Sequence, residues 1–141
     1  MMSLPRAWSL AILAVAVFVS GGCSASTNYP GSPPPATSVA PVLPPGGVFL
    51  TDLGFTEAPP EFSVPASVKM QSGYNIPELI NVLFAGADGP VVYAYLVANL
   101  PGMGYTITGQ SADSIVWHND DWDGAFTMTP AQAGLTLRRT Q

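Results

Sequence analysis

Chemistry has few places to reside in this chain of 141 residues, which carries one His and one Cys. The densest polar run is His118-Asn119-Asp120-Asp121-Trp122-Asp123-Gly124. Asn119, Asp121, Asp123 and Gly124 follow the opening of a calcium-binding loop, with oxygen ligands at alternate positions and then a glycine. The same pattern requires a bidentate acid further on, where this chain has Pro130. The run therefore reads first as a hairpin tip. A weak divalent-ion or polar site at His118, Asn119, Asp121 and Asp123 is the sharper alternative, and no metal is assigned. A nucleophilic triad would have His118 as its single base, and no Gly-x-Ser-x-Gly elbow is present to serve it. The acids of the tip share one short solvated turn, without the contrast of environments that separates a general acid from a base. No catalytic residues are assigned, no cofactor is implied, and the expected function is non-enzymatic.

Composition narrows the partners. Lys and Arg number 4 against 9 Asp and Glu, for a formal net charge of -5, so a nucleic-acid partner gripped through its phosphates is excluded. Hydrophobic residues make up 48% and charged residues 9%, far below the roughly 25% of an ordinary soluble domain.

The single Cys has a context of its own. Arg6 is the only charge before an unbroken apolar run, Leu10 to Val19. Ten helical residues span about 15 Å, half of the roughly 30 Å hydrocarbon core, so the run is too short for an ordinary transmembrane helix. A basic start, a short apolar middle and small residues after it describe a secretory signal. Ser20-Gly21-Gly22 then lead directly into Cys23.

Gly22-Cys23 in this position resembles the lipobox of bacterial lipoproteins, where a small residue precedes the Cys that becomes lipidated. Ser20 departs from the Leu or Val usual three residues before that Cys. The resemblance implies cleavage after Gly22, a diacylglyceryl group on Cys23, and anchorage on the outer face of the cell membrane. A plain signal cleaved near Ala25, or an uncleaved anchor, is the competing reading. A lone Cys forms no disulfide framework, which favours the lipid role. Removal of residues 1–22 would leave Lys69, Arg138 and Arg139 as the basic residues, too few for a polybasic membrane patch.

Residues 23–47 form the next unit: the lipidated Cys and a tether rich in Pro, Ser and Gly. Ser24 to Gly47 holds seven prolines and no charge, and such a stretch buries too little surface to offset its ordering entropy. It is expected to be disordered. Residues 48–141 are then one small domain.

Within that domain, Phe62–Val68 suggests an edge strand interrupted by Pro65, and Leu79–Phe84 a further strand. Pro90–Leu100 is the clearest helix. Asp88 or Gly89 can cap it, Pro90 suits its first turn, and Pro101-Gly102 stops it. Val92, Tyr93, Leu96, Val97 and Leu100 share one stripe, which predicts the buried face. Val91, Ala94, Tyr95 and Ala98 lie opposite without a charge, and form a candidate partner face. Four alternating runs follow: Gly104–Gly109, Asp113–His118, Trp122–Thr129 and Leu135–Arg139.

The predicted fold is α+β, with one helix packed on a four- to five-stranded antiparallel meander. Its helix, Leu-Pro, Gly-aromatic strand and Trp-bearing hairpin resemble small uncharacterised lipoproteins of high-GC Gram-positive bacteria, a likeness that implies no activity. With Asp120-Asp121 as the hairpin loop, Asn119 should pair with Trp122, His118 with Asp123, Trp117 with Gly124 and Ile115 with Phe126. Trp117 and Trp122 read as core residues, with a stacking platform for a sugar as the alternative. Arg138 and Arg139 read as solvated charges. The function expected is a lipid-anchored envelope protein that binds or modulates another envelope component. A small-molecule or lipid site between helix and sheet is the alternative.

Overall fold

The structure is a computed structural model that describes residues 39–141. The expected signal segment, Gly22, Cys23 and the Pro-rich stretch through Ser38 lie outside the described residues.

Regular structure begins with β1 (Gly47–Phe49), a single 3-10 turn (Thr51–Leu53) and β2 (Ser63–Pro65). Then come β3 (Met70–Ile76), β4 (Leu79–Ala85), a second 3-10 turn (Gly86–Asp88) and α1 (Gly89–Asn99). The chain closes with β5 (Thr106–Gln110), β6 (Ser114–His118), β7 (Trp122–Met128) and β8 (Gln132–Arg139). Strands β3 to β8 form one antiparallel sheet in the order β3-β4-β8-β7-β6-β5, and β1 pairs with β2 in a separate ribbon.

The class is α+β, and the expected meander β5 to β8 is present. The sheet is larger than the four or five strands expected, because β3 pairs with β4 at one edge. Phe62–Val68 does not supply an edge of this sheet. Phe62 and Val64 are fully buried, and the ribbon they belong to lies beside α1.

Alternation explains the packing. Ile80, Val82 and Phe84 of β4, Ile115 and Trp117 of β6, Phe126 of β7, and Leu135 and Leu137 of β8 all point to one face and are fully buried. Val92, Leu96 and Leu100 of the helix segment close over them, also without exposure, while Tyr93 and Val97 are half-buried at the rim. Phe62 stacks on Trp117 at 5.9 Å and meets Tyr105 edge-on at 5.5 Å, tying the ribbon into the same core.

Pro90 occupies the first turn of α1 and Asp88 its N-cap position, both as expected. Asp88 makes no capping hydrogen bond, because the 3-10 turn runs straight into the helix and the Gly89 N–H donates to the Gly86 carbonyl. At the other end, Met103 N–H donates to the carbonyls of Asn99 and Leu100, and Tyr105 N–H returns to Leu100.

Candidate functional site

The polar run folds as a hairpin tip between β6 and β7. Asn119 N–H donates to the Trp122 carbonyl at 2.9 Å, which closes the loop Asp120-Asp121. His118 lies opposite Asp123, Trp117 opposite Gly124 and Ile115 opposite Phe126, as the alternation required. The side chain of Asn119 explains why a pair of aspartates serves as the loop. Its Oδ1 accepts the N–H groups of Asp121 at 3.0 Å and Trp122 at 2.7 Å, an Asx turn that organises the backbone without a glycine.

The C-terminal end of the described chain braces this tip. Thr140 N–H donates to the Asp121 carbonyl and Thr140 Oγ1 to the Asp120 carbonyl, both at 2.9 Å. Arg139 is not a simple solvated charge: its guanidinium sits 5.5 Å from the centre of the Trp122 ring, within cation–π range.

Nearby, Tyr105 is buried and its hydroxyl donates to Glu61 Oε1 at 2.9 Å. Burial foremost, and then the Glu61 carboxylate, push the Tyr105 hydroxyl far above its ordinary range. The nearby Asn119 amide opposes the shift, and the charge of Asp121 adds to it. Sequence reasoning missed this pair, since Glu61 is distant in the chain and follows Pro59-Pro60.

What the tip can do chemically follows from these commitments. The Asn119 carbonyl oxygen, which a calcium loop would need as a ligand, is held by two backbone donors. The backbone carbonyls of Asp120 and Asp121 are held by Thr140. Their carboxylates face solvent. Among the described residues no group of three or more His, Cys, Asp or Glu is arranged to hold a metal ion.

Trp117 is fully buried and Trp122 nearly so, and neither presents an indole face for a sugar. Trp117 Nε1 is also buried without a hydrogen-bond partner. The candidate partner face divides. Val91 is 46% exposed, and Ala94 and Ala98 are exposed with it. Tyr95 instead leans on the ribbon, where its hydroxyl and Ser63 Oγ are 2.8 Å apart, and it is half-buried.

Leu96, between helix and sheet, is fully buried, and neither of two surface clefts is lined by it. A cleft of about 310 Å³ lies instead near the start of α1, lined by Gly86, Pro90, Asp113, Met128, Thr129 and Pro130. A second of about 250 Å³ lies on the face of the sheet away from the helix, beside Val116, Ala125, Thr136 and Arg138. No helix among the described residues is long and apolar enough to cross a membrane. No protein-family model, curated protein or solved structure matches the chain.

Proposed function

We propose that the chain is a lipid-anchored cell-envelope protein, held on the outer face of the cell membrane through Cys23, whose domain binds or modulates another envelope protein and catalyses no reaction. The observation that supports partner binding is the two-sidedness of α1. Its inner residues are fully buried, whereas Val91, Ala94 and Ala98 leave an apolar, charge-free surface outward. An apolar helix face without charges is a candidate contact surface.

Two measurements test the two halves of this reading. Detergent phase separation should carry the mature protein into the detergent phase, and Cys23→Ala should return it to the aqueous phase; unchanged partitioning overturns the anchor. Crosslinking in native membranes should capture an envelope protein that Ala98→Glu releases, and capture insensitive to that substitution overturns the helix face as the contact.

The cleft of about 310 Å³ beside Pro90 and Met128 supports a second reading, a small apolar ligand near the helix–sheet junction. Met128→Trp would fill the cleft. Under the ligand reading it abolishes function with the fold intact, and under the partner reading function survives.

A further inference from the structure

The six-stranded sheet has a second face, turned away from α1. Burial on β4, β6, β7 and β8 alternates, so the outward positions are Leu79, Asn81 and Leu83; Ser114 and Val116; Asp123 and Ala125; and Gly134, Thr136 and Arg138. Register places Tyr74 and Ile76 of β3 on the same face, 70% and 51% exposed. Solvated sheet faces are normally polar at these positions. Here the strands carry only three Arg, Asp or His side chains outward, and all lie in one cross-strand row: Arg138, Asp123, His118. The rest of the face is neutral, with small residues at its middle.

We infer that this face is the interface of a symmetric dimer, two copies packing sheet to sheet about a two-fold axis that runs along the strands between β7 and β8. The occupant follows from the order β3-β4-β8-β7-β6-β5, whose midpoint is the β8–β7 boundary. Rotation about that line lays β8 over β7 of the second copy, β4 over β6 and β3 over β5. Arg138 pairs with Asp123 across β8 and β7 within one chain, so the rotation sets Arg138 of each copy over Asp123 of the other. Opposite charges meet twice.

Side-chain size follows the same symmetry. Leu83 comes over Ser114 of the second copy, and Ile76 over Thr106, so the bulkier half of one sheet covers the slimmer half of the other. Ala125 and Thr136, partners beside the axis, allow close approach there.

Area and edges point the same way. At about 4.8 Å between strands and 3.3 Å per residue, the face covers about 600 Å². Two such faces bury about 1,200 Å², the lower end of the range for stable interfaces. The outermost strands β3 and β5 each carry a register shift, between Met70 and Ser72 and between Ile107 and Gly109. Irregular edges disfavour edge-to-edge pairing and leave the face as the surface for self-association.

The inference is independent of the anchor and of the helix face. Its test is co-purification of two differently tagged full-length chains in mild detergent. Wild type should recover wild type. Arg138→Asp should fail to recover itself, and so should Asp123→Arg, each weakened by about tenfold or more as like charges meet across the interface. The mixture of the two variants should recover each other, since every cross-copy contact is again between opposite charges. That rescue requires contact between chains, because each variant still carries a like-charge pair within its own sheet.

No recovery in the wild-type pair overturns the dimer and leaves the face to a different protein. Equal recovery in all pairings, or no rescue on mixing two folded variants, overturns this interface. Should either charge variant unfold, Gly134→Glu reads the same face. A Cβ there meets only Leu83 Cδ2, at 3.5 Å, so the fold should tolerate it. Continued self-recovery of Gly134→Glu overturns the proposal.

Discussion

The indole of Trp117 packs over Gly124, its partner across the β6–β7 ladder, in space that a side chain there would need. A Cβ at Gly124 would overlap the indole at the Nε1–Cε2 bond, its nearest neighbours. Both residues are buried and Phe62 stacks on the indole, so the ring has no direction in which to retreat. Gly124→Ala is therefore expected to cost about 1–3 kcal/mol through overpacking. Chemical denaturation followed by Trp fluorescence measures it, and a stability equal to wild type would show that the indole can move.

Tyr105 makes stability fall on the alkaline side. Burial and then Glu61 hold its hydroxyl protonated in the folded state, whereas the unfolded chain releases that proton near pH 10. Its contribution is fully present below pH 10 and is lost as pH rises toward the folded value. The slope above pH 10 is up to about 1.4 kcal/mol per pH unit. Tyr105→Phe should remove that slope, at a cost of about 1 kcal/mol near neutrality for the lost hydrogen bond to Glu61. Denaturation midpoints compared at pH 8 and pH 11 are the check.

The two sides of α1 should respond differently to substitution. Leu96→Ala opens a cavity among fully buried residues and should cost about 2–5 kcal/mol. Ala98→Glu, on the exposed side, should leave the midpoint within about 0.5 kcal/mol of wild type. The opposite ranking would mean that the helix is rotated.

At the hairpin tip, Asn119→Ala removes the acceptor for two backbone N–H groups and should cost about 1 kcal/mol. Millimolar calcium should produce no saturable shifts at the amides of Asn119, Asp121 and Asp123 in an NMR titration. Saturable shifts there would restore the ion-site reading of the run.

Alternation carried the reading of β5 to β8. Ile115, Trp117, Phe126, Leu135 and Leu137 all lie inward, and the hairpin register followed from Asp120-Asp121 alone. Strand β3 was not legible, because Met70–Ile76 buries little on either side and so shows no period. Its one cue was the pair Pro77-Glu78 between Ile76 and Leu79, a loop that joins adjacent strands. The strand within Phe62–Val68 is present and ends at Pro65, but its apolar residues do not declare which sheet receives them. Of the candidate site residues, the tip emerged in the right geometry, and what sequence left open was where its oxygens point. Tyr95 was placed by a helical wheel that holds no record of Ser63 on another element. The outer sheet face was invisible for a similar reason, since charge complementarity between Arg138 and Asp123 exists only once β7 and β8 are neighbours.

The position of β8 bears on when the molecule can exist. It is last in the chain, yet it stands between β4 and β7 and pairs with both. Hairpins β3–β4 and β6–β7 are local and can close early, while Leu79 meets Arg138 only across most of the domain's length. Long-range closure of that kind is slow relative to hairpin formation. A chain that emerges N-terminus first thus holds two separate half-sheets until Gln132–Arg139 arrives. Interruption at that point leaves the sheet divided between β4 and β7, with only α1 and the core beneath it to bridge the two halves.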